Sequence, residues 1–391
     1  MINNNYLVIS AKMKKMHREA FATGKEKNVF SFLKKYLKWI ESDNESYNRT
    51  ILNSNPLKMK ENKRHNKDFD QTINLFLKQT LAKSYENKKH SKKYKGEAYA
   101  FMGVGYEYGI FNLESNPSYA FEKYETAAQL GNALGTFKLG QCFEKGFGVY
   151  ASTEKALSFY RCAAKLGLTE ALHLYGMIMF NGYIGAMKDE NTGHYYLKMA
   201  VKNADKYCPY PLYDMGLFYE NGENSCGITK DFSFSLENYE KGAELGDPNC
   251  KYKMGQCYEY GDMGLDIDKK KSAQFYTEAA NSGQIDAQWI LSEYYLTGKK
   301  PHIEKSYEKS YGWALAGATK GSERCAFKCG ECALSGTGTE ENILDAYFWF
   351  LISKYLGSAD ADDKIKEVEH KLAKMDAGAE VPSTCCSCLF G

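Results

Sequence analysis

Three cysteines, Cys325, Cys329 and Cys332, recur at helical spacing within a chain of 391 residues. Thiolates on one face of a helix are typical zinc ligands, but a zinc site needs further donors, and no histidine clusters with these three. Cysteine is also one of the most frequently buried residue types, where it serves as a small apolar side chain. We therefore predict that these cysteines fill core positions and that the protein holds no metal.

Other candidates for catalysis are weak. The run Ser335-Gly336-Thr337-Gly338-Thr339 resembles a phosphate-binding loop but lacks the Lys-Ser/Thr that follows in such loops. An enzyme, for instance a hydrolase, would need a nucleophile beside a base, and the histidines are scattered. We predict no catalytic residues, no cofactor and no enzymatic activity. The histidines are His17, His65, His90, His173, His194, His302 and His370.

Four glutamates share one position of a repeating pattern, just after a large side chain. They are Glu107, Glu144, Glu220 and Glu259. Carboxylates in a row could form an acidic surface for a basic partner peptide, so we take them as partner-binding candidates. The alternative is a solvated face at the ends of helices.

The last seven residues combine three cysteines with an apolar end. Cys388 stands four residues from the end and is followed by Leu389 and Phe390, as in a prenylation box, although Gly391 is not a usual last residue. Cys385 and Cys386 lie just upstream, where palmitoylation would add the second anchor that stable membrane attachment needs. We predict lipidation at these cysteines; the alternative is an unmodified tail.

Composition narrows the class of protein. The chain is 43% hydrophobic, enough for a sizeable core, and no run approaches the length of a membrane span. No secretory signal is recognised at the start, so we expect a cytoplasmic protein with reduced thiols. Residues 1–95 contain 22 Lys and Arg against nine Asp and Glu, whereas the remainder is acidic. This basic arm could face anionic lipid, RNA or an acidic partner, or it could be a solvated extension. For the protein as a whole, we expect no nucleic-acid partner.

A repeat of 36 to 40 residues dominates the sequence. Small residues recur at Gly103, Gly140, Gly176, Gly216, Gly255, Ser292 and Gly330, and each is followed six residues later by a glycine. Small and aromatic residues at intervals of three and four indicate a helix, and the following glycine suits the left-handed conformation at a helix end.

The second half of each unit is also helical in pattern. It reads small, aromatic four residues on, two small residues and then glycine, as in Ala156, Tyr160, Ala163, Ala164 and Gly167. In the third unit the same pattern is kept by Tyr196, Met199 and Ala200, with Asn203 in place of the glycine. Each unit is therefore predicted to be an antiparallel pair of helices that stacks on its neighbours.

These repeats resemble the Sel-one-like repeat, a longer relative of the tetratricopeptide repeat. The resemblance is carried best by residues 137–167 and extends over seven units. It implies an all-α fold, a right-handed α-solenoid of about seven helix pairs with capping helices. Such repeats serve scaffold proteins with unrelated partners, so fold alone does not fix function.

The order of parts resembles fungal activators of chitin synthase, which combine about seven such units with a polar N-terminal extension and a C-terminal prenylation box. That resemblance implies a non-catalytic scaffold that binds and activates or localises chitin synthase in cell-wall biogenesis. It also implies a peripheral location at the cytoplasmic face of a membrane. The alternative is a generic cytosolic protein–protein interaction adaptor in signalling.

The predicted organisation has five parts. Amphipathic patterns predict helices over residues 29–40, 69–85 and 362–374. We expect a basic, partly disordered extension (1–68), a capping helix (69–95), seven repeats (96–357), a second capping helix (358–375) and a cysteine-rich tail (376–391).

Overall fold

A computed structural model describes residues 16, 19–23, 25–37, 67–83, 88–222, 228–298 and 303–378. The chain divides into two compact units, Met1–Gly246 and Asp247–Gly391. Within the described ranges there is no β-strand, only an isolated bridge between Asp205 and Cys208. The all-helical class predicted from the repeat is confirmed.

In unit 1, helix α1 covers residues 26–37 and is followed, within the described residues, by nine further helices. The first two of these are α2 (Lys67–Ala82) and α3 (Lys88–Tyr108). The remaining seven helices complete four pairs. Helix α3 pairs with α4 (Pro117–Gln129), and the other pairs are α5 (Ala133–Lys145) with α6 (Thr153–Lys165), α7 (Thr169–Asn181) with α8 (Glu190–Asn203), and α9 (Pro211–Asn221) with α10 (Phe232–Leu245).

Unit 2 contains three further pairs and a terminal helix. These are α11 (Pro248–Tyr260), α12 (Lys269–Asn281), α13 (Ile285–Thr297), α14 (Tyr307–Ala318), α15 (Glu323–Ser335), α16 (Ile343–Tyr355) and α17 (Ala361–Gly378). In each unit the two helices of a pair pack against each other, and the second helix also packs against the first helix of the next pair in the same unit. Every pair therefore contributes to a core shared with its neighbours in the same unit.

The glycine six residues after each small residue ends the first helix of its pair. All seven have positive φ, from 64° to 80°. At Gly146, for example, φ is 70° and ψ is 31°, and its N–H donates to the carbonyl of Cys142. A side chain at this conformation is disfavoured, which explains why glycine recurs there.

Each second helix begins at a capping side chain. Asp231, for instance, accepts a hydrogen bond from the N–H of Phe234 and so satisfies a group that has no partner within the helix. All seven second helices have such a cap. The capping residues are Asn116, Ser152, Asp189, Asp231, Asp268, Ser306 and Asn342.

In most pairs, a buried aromatic ring of the second helix packs directly on the backbone of a glycine in the first helix. Tyr239 of α10 is fully buried, and a Cβ atom added at Gly216 of α9 would lie 2.4 Å from its ring. Only a residue without a side chain permits this approach. The same contact joins Gly103 to Tyr124, Gly140 to Tyr160, Gly255 to Tyr276 and Gly330 to Phe350.

In the third pair, the predicted position of the buried side chain in the second helix is wrong by one residue. The side chain that lies against Gly176 is Leu197, which is 1% exposed, and the predicted Tyr196 is only partly buried. Packing decides the register here because α8 brings its own Gly193 against the backbone of Phe180, which fixes the rotation of the helix.

Helices outside the pairs cover the ends of the two units. In unit 1, Val29, Phe30 and Leu33 of α1 are almost completely buried, and the ring of Phe30 stacks on Phe101 of α3 at 6.1 Å. The packed part of unit 1 therefore begins well before residue 69, where the predicted cap starts. In unit 2, α17 buries Val368 completely against the last pair.

Candidate interaction sites

Each of the four candidate glutamates accepts a hydrogen bond from the buried tyrosine of its own helix pair. In unit 2, the hydroxyl of Tyr276 donates to Oε2 of Glu259 over 2.9 Å. In unit 1 the same contact joins Tyr239 to Glu220, Tyr160 to Glu144 and Tyr124 to Glu107. These four contacts, the tyrosine–glutamate pairs, satisfy hydroxyl groups that burial removes from water.

Glutamate occurs only in the pairs that have this hydroxyl group. Where the buried side chain of the second helix is Leu197, Ala314 or Phe350, the position of the glutamate is apolar. The residues found there are Phe180, Leu296 and Leu334. This match between the two positions indicates that the carboxylate serves the tyrosine within the fold.

Burial differs among the four carboxylates. Glu259 is 5% exposed, and its Oε1 also accepts a hydrogen bond of 2.5 Å from the hydroxyl of Tyr294. Burial raises the pKa of Tyr276 and of Tyr294, and the charge of this carboxylate and its hydrogen bond to each hydroxyl raise both further. Both hydroxyl groups therefore keep their protons, and keep donating, at alkaline pH values where an exposed tyrosine would ionise.

In unit 1 the carboxylates retain contact with solvent. Glu144 is exposed, whereas Glu107 and Glu220 are half-buried. Glu107 also lies 3.6 Å from the ammonium group of Lys138, which is buried. A partner-binding role for the four glutamates stays a prediction, and its accessible members are those of unit 1.

The repeat cysteines occupy the core, as predicted. Cys325, Cys329 and Cys332 are free thiols that are at most 2% exposed, and burial raises the pKa of each. A protonated, inaccessible thiol is neither a nucleophile nor a metal ligand. Over the residues with described positions, no group of three or more His, Cys, Asp or Glu side chains is placed to hold a metal ion.

The loop that resembles a phosphate site is a turn between the two helices of the seventh pair. Gly336 ends α15 with φ of 65°, and Gly338 follows with φ of 76°. A Cβ atom at Gly338 would lie 2.1 Å from the carbonyl oxygen of Tyr307. Packing of the loop on α14 therefore accounts for its glycines.

A cleft of about 420 Å³ on unit 1 was not foreseen from the sequence. Its charged lining consists of four lysines and one glutamate, and its apolar lining includes Leu134 and Leu168. We call it the basic cleft. The charged residues are Lys34 of α1 and Lys89, Lys92, Lys93 and Glu97 of α3.

The charged side chains that line the basic cleft sum to a net positive charge. Glu97 is buried and pairs with Lys34 over 3.3 Å, so the other lysines exceed the negative charge. The N-terminus of α5 also borders the cleft, where Asn132 caps the N–H of Gly135, and Ala133 and Leu134 line the wall. Helix N-termini carry partial positive charge. The sequence identified a basic arm, but only packing of α1 on α3 brings these lysines together.

The lipidation candidates Cys385, Cys386 and Cys388 lie outside the described residues. Nowhere in the described chain is a helix both long enough and apolar enough to cross a bilayer. The described fold is that of a helical-repeat protein.

The chain belongs to the Sel1 repeat family. Its repeat pattern matches seven times, which confirms the resemblance seen in the sequence. The matched segments are 96–132, 133–168, 169–205, 212–247, 248–284, 285–322 and 324–358.

Curated relatives include regulators of chitin synthase. The chain is 28% identical to the chitin synthase regulator SKT5 of Saccharomyces cerevisiae, over 96% of this chain and 52% of that protein. It is 27% identical to chitin synthase regulatory factor 3 of Schizosaccharomyces pombe, over 69% of this chain and 29% of that protein. Activator of C kinase protein 1 of S. cerevisiae is 27% identical over 65% of this chain and 44% of its own length. The chain thus spans between about a third and a half of these relatives.

Solved structures confirm the solenoid class of fold. A Sel1 repeat protein from Oxalobacter formigenes superposes with a TM-score of 0.57 at 21% identity, covering 83% of this chain and 93% of that one. The protective antigen c5321 of uropathogenic Escherichia coli gives a TM-score of 0.54, also at 21% identity, over 77% of this chain and 64% of that one.

Proposed function

We propose that this protein is a non-catalytic adaptor that binds chitin synthase and activates or localises it in cell-wall synthesis. The observation that carries the proposal is the similarity to SKT5, which is named a chitin synthase regulator and matches almost the whole chain. The polymerising chemistry then belongs to the membrane enzyme, and the adaptor itself needs no cofactor.

Two surfaces support binding of a protein partner. The basic cleft suits an acidic segment, because its lysines attract carboxylates while Leu134 and Leu168 offer apolar contact. The second surface consists of the candidate glutamates, of which Glu107, Glu144 and Glu220 are accessible. Glu259 enters this proposal only by holding its helix pair together, because its carboxylate is buried.

Membrane attachment is the second part of the proposal. Lipid groups on Cys388, Cys385 and Cys386 would keep the adaptor at the cytoplasmic face of the membrane that contains the synthase. Lysines of the basic arm that reach an anionic bilayer would each add about 1 kcal/mol of attraction.

A generic signalling adaptor is the second candidate function. The similarity to Activator of C kinase protein 1 favours it, since that relative is named for a kinase. Under this alternative the protein would bind a soluble partner and leave chitin synthase unaffected.

The test uses membranes that contain chitin synthase but lack its own regulator. Purified full-length protein should raise synthase activity when added and should show no turnover of wall precursors by itself. Capture of the synthase should weaken in a Lys92→Gln/Lys93→Gln variant but not in a Lys165→Gln/Lys202→Gln variant, whose lysines are exposed elsewhere on unit 1. Unchanged synthase activity, or turnover by the purified chain alone, would contradict the proposal.

A further inference from the structure

Helix α16 exposes a continuous apolar face to solvent. Leu344, Phe348, Leu351 and Tyr355 follow one another at intervals of four, three and four residues and are 66%, 48%, 40% and 84% exposed. That spacing places the side chains on one side of a helix. We call these four residues the α16 stripe.

The equivalent face of the other second helices is polar. In α12, the helix of unit 2 two pairs earlier, the corresponding residues are Lys270, Gln274, Thr277 and Asn281. Among the 24 such positions in the six preceding second helices, the large apolar residues are Tyr195 and Leu315. The repeat itself therefore does not require an apolar residue at these positions, and the α16 stripe is particular to the last pair.

The core of unit 2 does not use the α16 stripe. Phe350, on another face of α16, is fully buried and shares a cluster with Val368 of α17. Tyr347, next to that face, donates a hydrogen bond of 3.0 Å to Glu369 of α17. The terminal helix is thus seated on α16 while the four residues of the stripe remain exposed.

Acidic residues lie next to the N-terminal end of the stripe. Asp345 is exposed beside Leu344, and Glu340 and Glu341 are exposed in the turn that leads into α16. Glu308 of α14 is also exposed, and its backbone lies close to Gly338 in that same turn. At the other end, Lys354 is engaged by Asp362 over 2.5 Å. This rim would repel anionic lipid and attract a basic partner.

We propose that the α16 stripe is the docking site for an amphipathic α-helix of a partner protein, with lysines or arginines flanking its apolar face. The 11-residue separation of Leu344 and Tyr355 corresponds to about 17 Å along a helix, which matches three turns of a partner helix. The proposal is independent of whether that partner is chitin synthase.

The experiment measures fluorescence anisotropy of labelled 18-residue peptides with the full-length protein. The probe has leucines at helical spacing and lysines on both flanks; controls are a scrambled peptide and one with glutamate in place of lysine. The leucine–lysine helix should bind saturably, and the glutamate peptide about tenfold or more weakly, since like charges then meet.

Two substitutions distinguish specific binding at the α16 stripe from nonspecific binding elsewhere on the protein. Phe348→Glu should weaken binding about tenfold or more by placing a charge in the apolar contact. Tyr195→Glu is the matched control, because it changes an exposed aromatic residue at the equivalent position of α8, and should leave binding unchanged. Circular dichroism melting should show both variants folded.

Several results would overturn the proposal. These are absence of saturable binding, equal binding of the scrambled or acidic peptide, or unchanged binding by Phe348→Glu. Binding that appears only after deletion of residues 379–391 would assign the stripe to the chain's own tail. A dimer in light scattering that Phe348→Glu converts to a monomer would assign it to a second copy.

Discussion

At the scale of single residues, the tyrosine–glutamate pairs exchange hydration of a phenol for an internal hydrogen bond. Replacing Tyr276 by Phe removes the donor but leaves Glu259 buried, so we expect a loss of about 1–3 kcal/mol in the free energy of unfolding. Urea denaturation measures it. Tyr347→Phe deletes a similar hydrogen bond to Glu369 at an exposed site and should cause no measurable change; an equal loss in both variants would refute the role of burial.

The same pairs predict a dependence on alkaline pH. Burial and the adjacent carboxylate raise the pKa of Tyr276 above the ordinary value of 10.0, so the unfolded chain loses this proton first as pH rises. The buried Tyr276 hydroxyl therefore contributes its full share to the free energy of unfolding below about pH 10, and this share decreases as the pH rises further. The difference in unfolding free energy between wild type and Tyr276→Phe should narrow in denaturation series carried from neutral pH to above pH 10. A constant difference would contradict the assignment.

At the scale of helices, close contact between paired helices outweighs helix propensity. Gly216→Ala adds a methyl group only 2.4 Å from the buried ring of Tyr239, and we expect overpacking to cost about 1–3 kcal/mol although alanine favours helices. Gly312→Ala is the control, because nothing lies within 4 Å of the added Cβ atom in α14. It should stabilise the protein by about 0.5–1 kcal/mol. Thermal unfolding should move in opposite directions for the two variants.

Helix caps set the boundaries of the second helices. Asp231→Ala removes the acceptor for the N–H of Phe234 at the start of α10, with an expected loss of about 1 kcal/mol. Asp231→Asn keeps an acceptor oxygen and should retain most of the stability. Hydrogen exchange of the first turn of α10 should increase in the alanine variant alone; equal exchange in both variants would show that the cap is not decisive.

At the scale of the whole molecule, the proposed attachment to a membrane depends on the tail. If Cys388 is prenylated, Cys388→Ser should shift the protein from the membrane fraction to the supernatant of its native host, because the variant lacks the prenyl group, one of the two signals that stable attachment needs. Intact mass spectrometry should show a prenyl increment with loss of Leu389–Gly391 in the wild type. An unmodified C-terminus on membrane-bound protein would place the anchor elsewhere.

The sequence alone determined the repeats and the buried cysteines. Seven glycines in register specify where the first helices end, because positive φ is costly for other residues, and the structure shows positive φ at all of them. The N-caps and the match between glutamate and tyrosine are also present in the sequence, but each becomes recognisable only when equivalent positions are compared across the repeats.

Only the tertiary structure decided which charged and apolar side chains are buried, which come together and which remain exposed. The sequence could not show that Glu259 is enclosed between two tyrosines, since Tyr294 comes from the following helix pair. It could not show that Lys34 and Lys92 line one cleft, because they belong to helices α1 and α3, far apart in the chain. The rotation of α8 and the exposure of Phe348 likewise follow from which face each neighbouring helix covers. Periodicity fixes which residues share a face, whereas packing fixes which faces remain open.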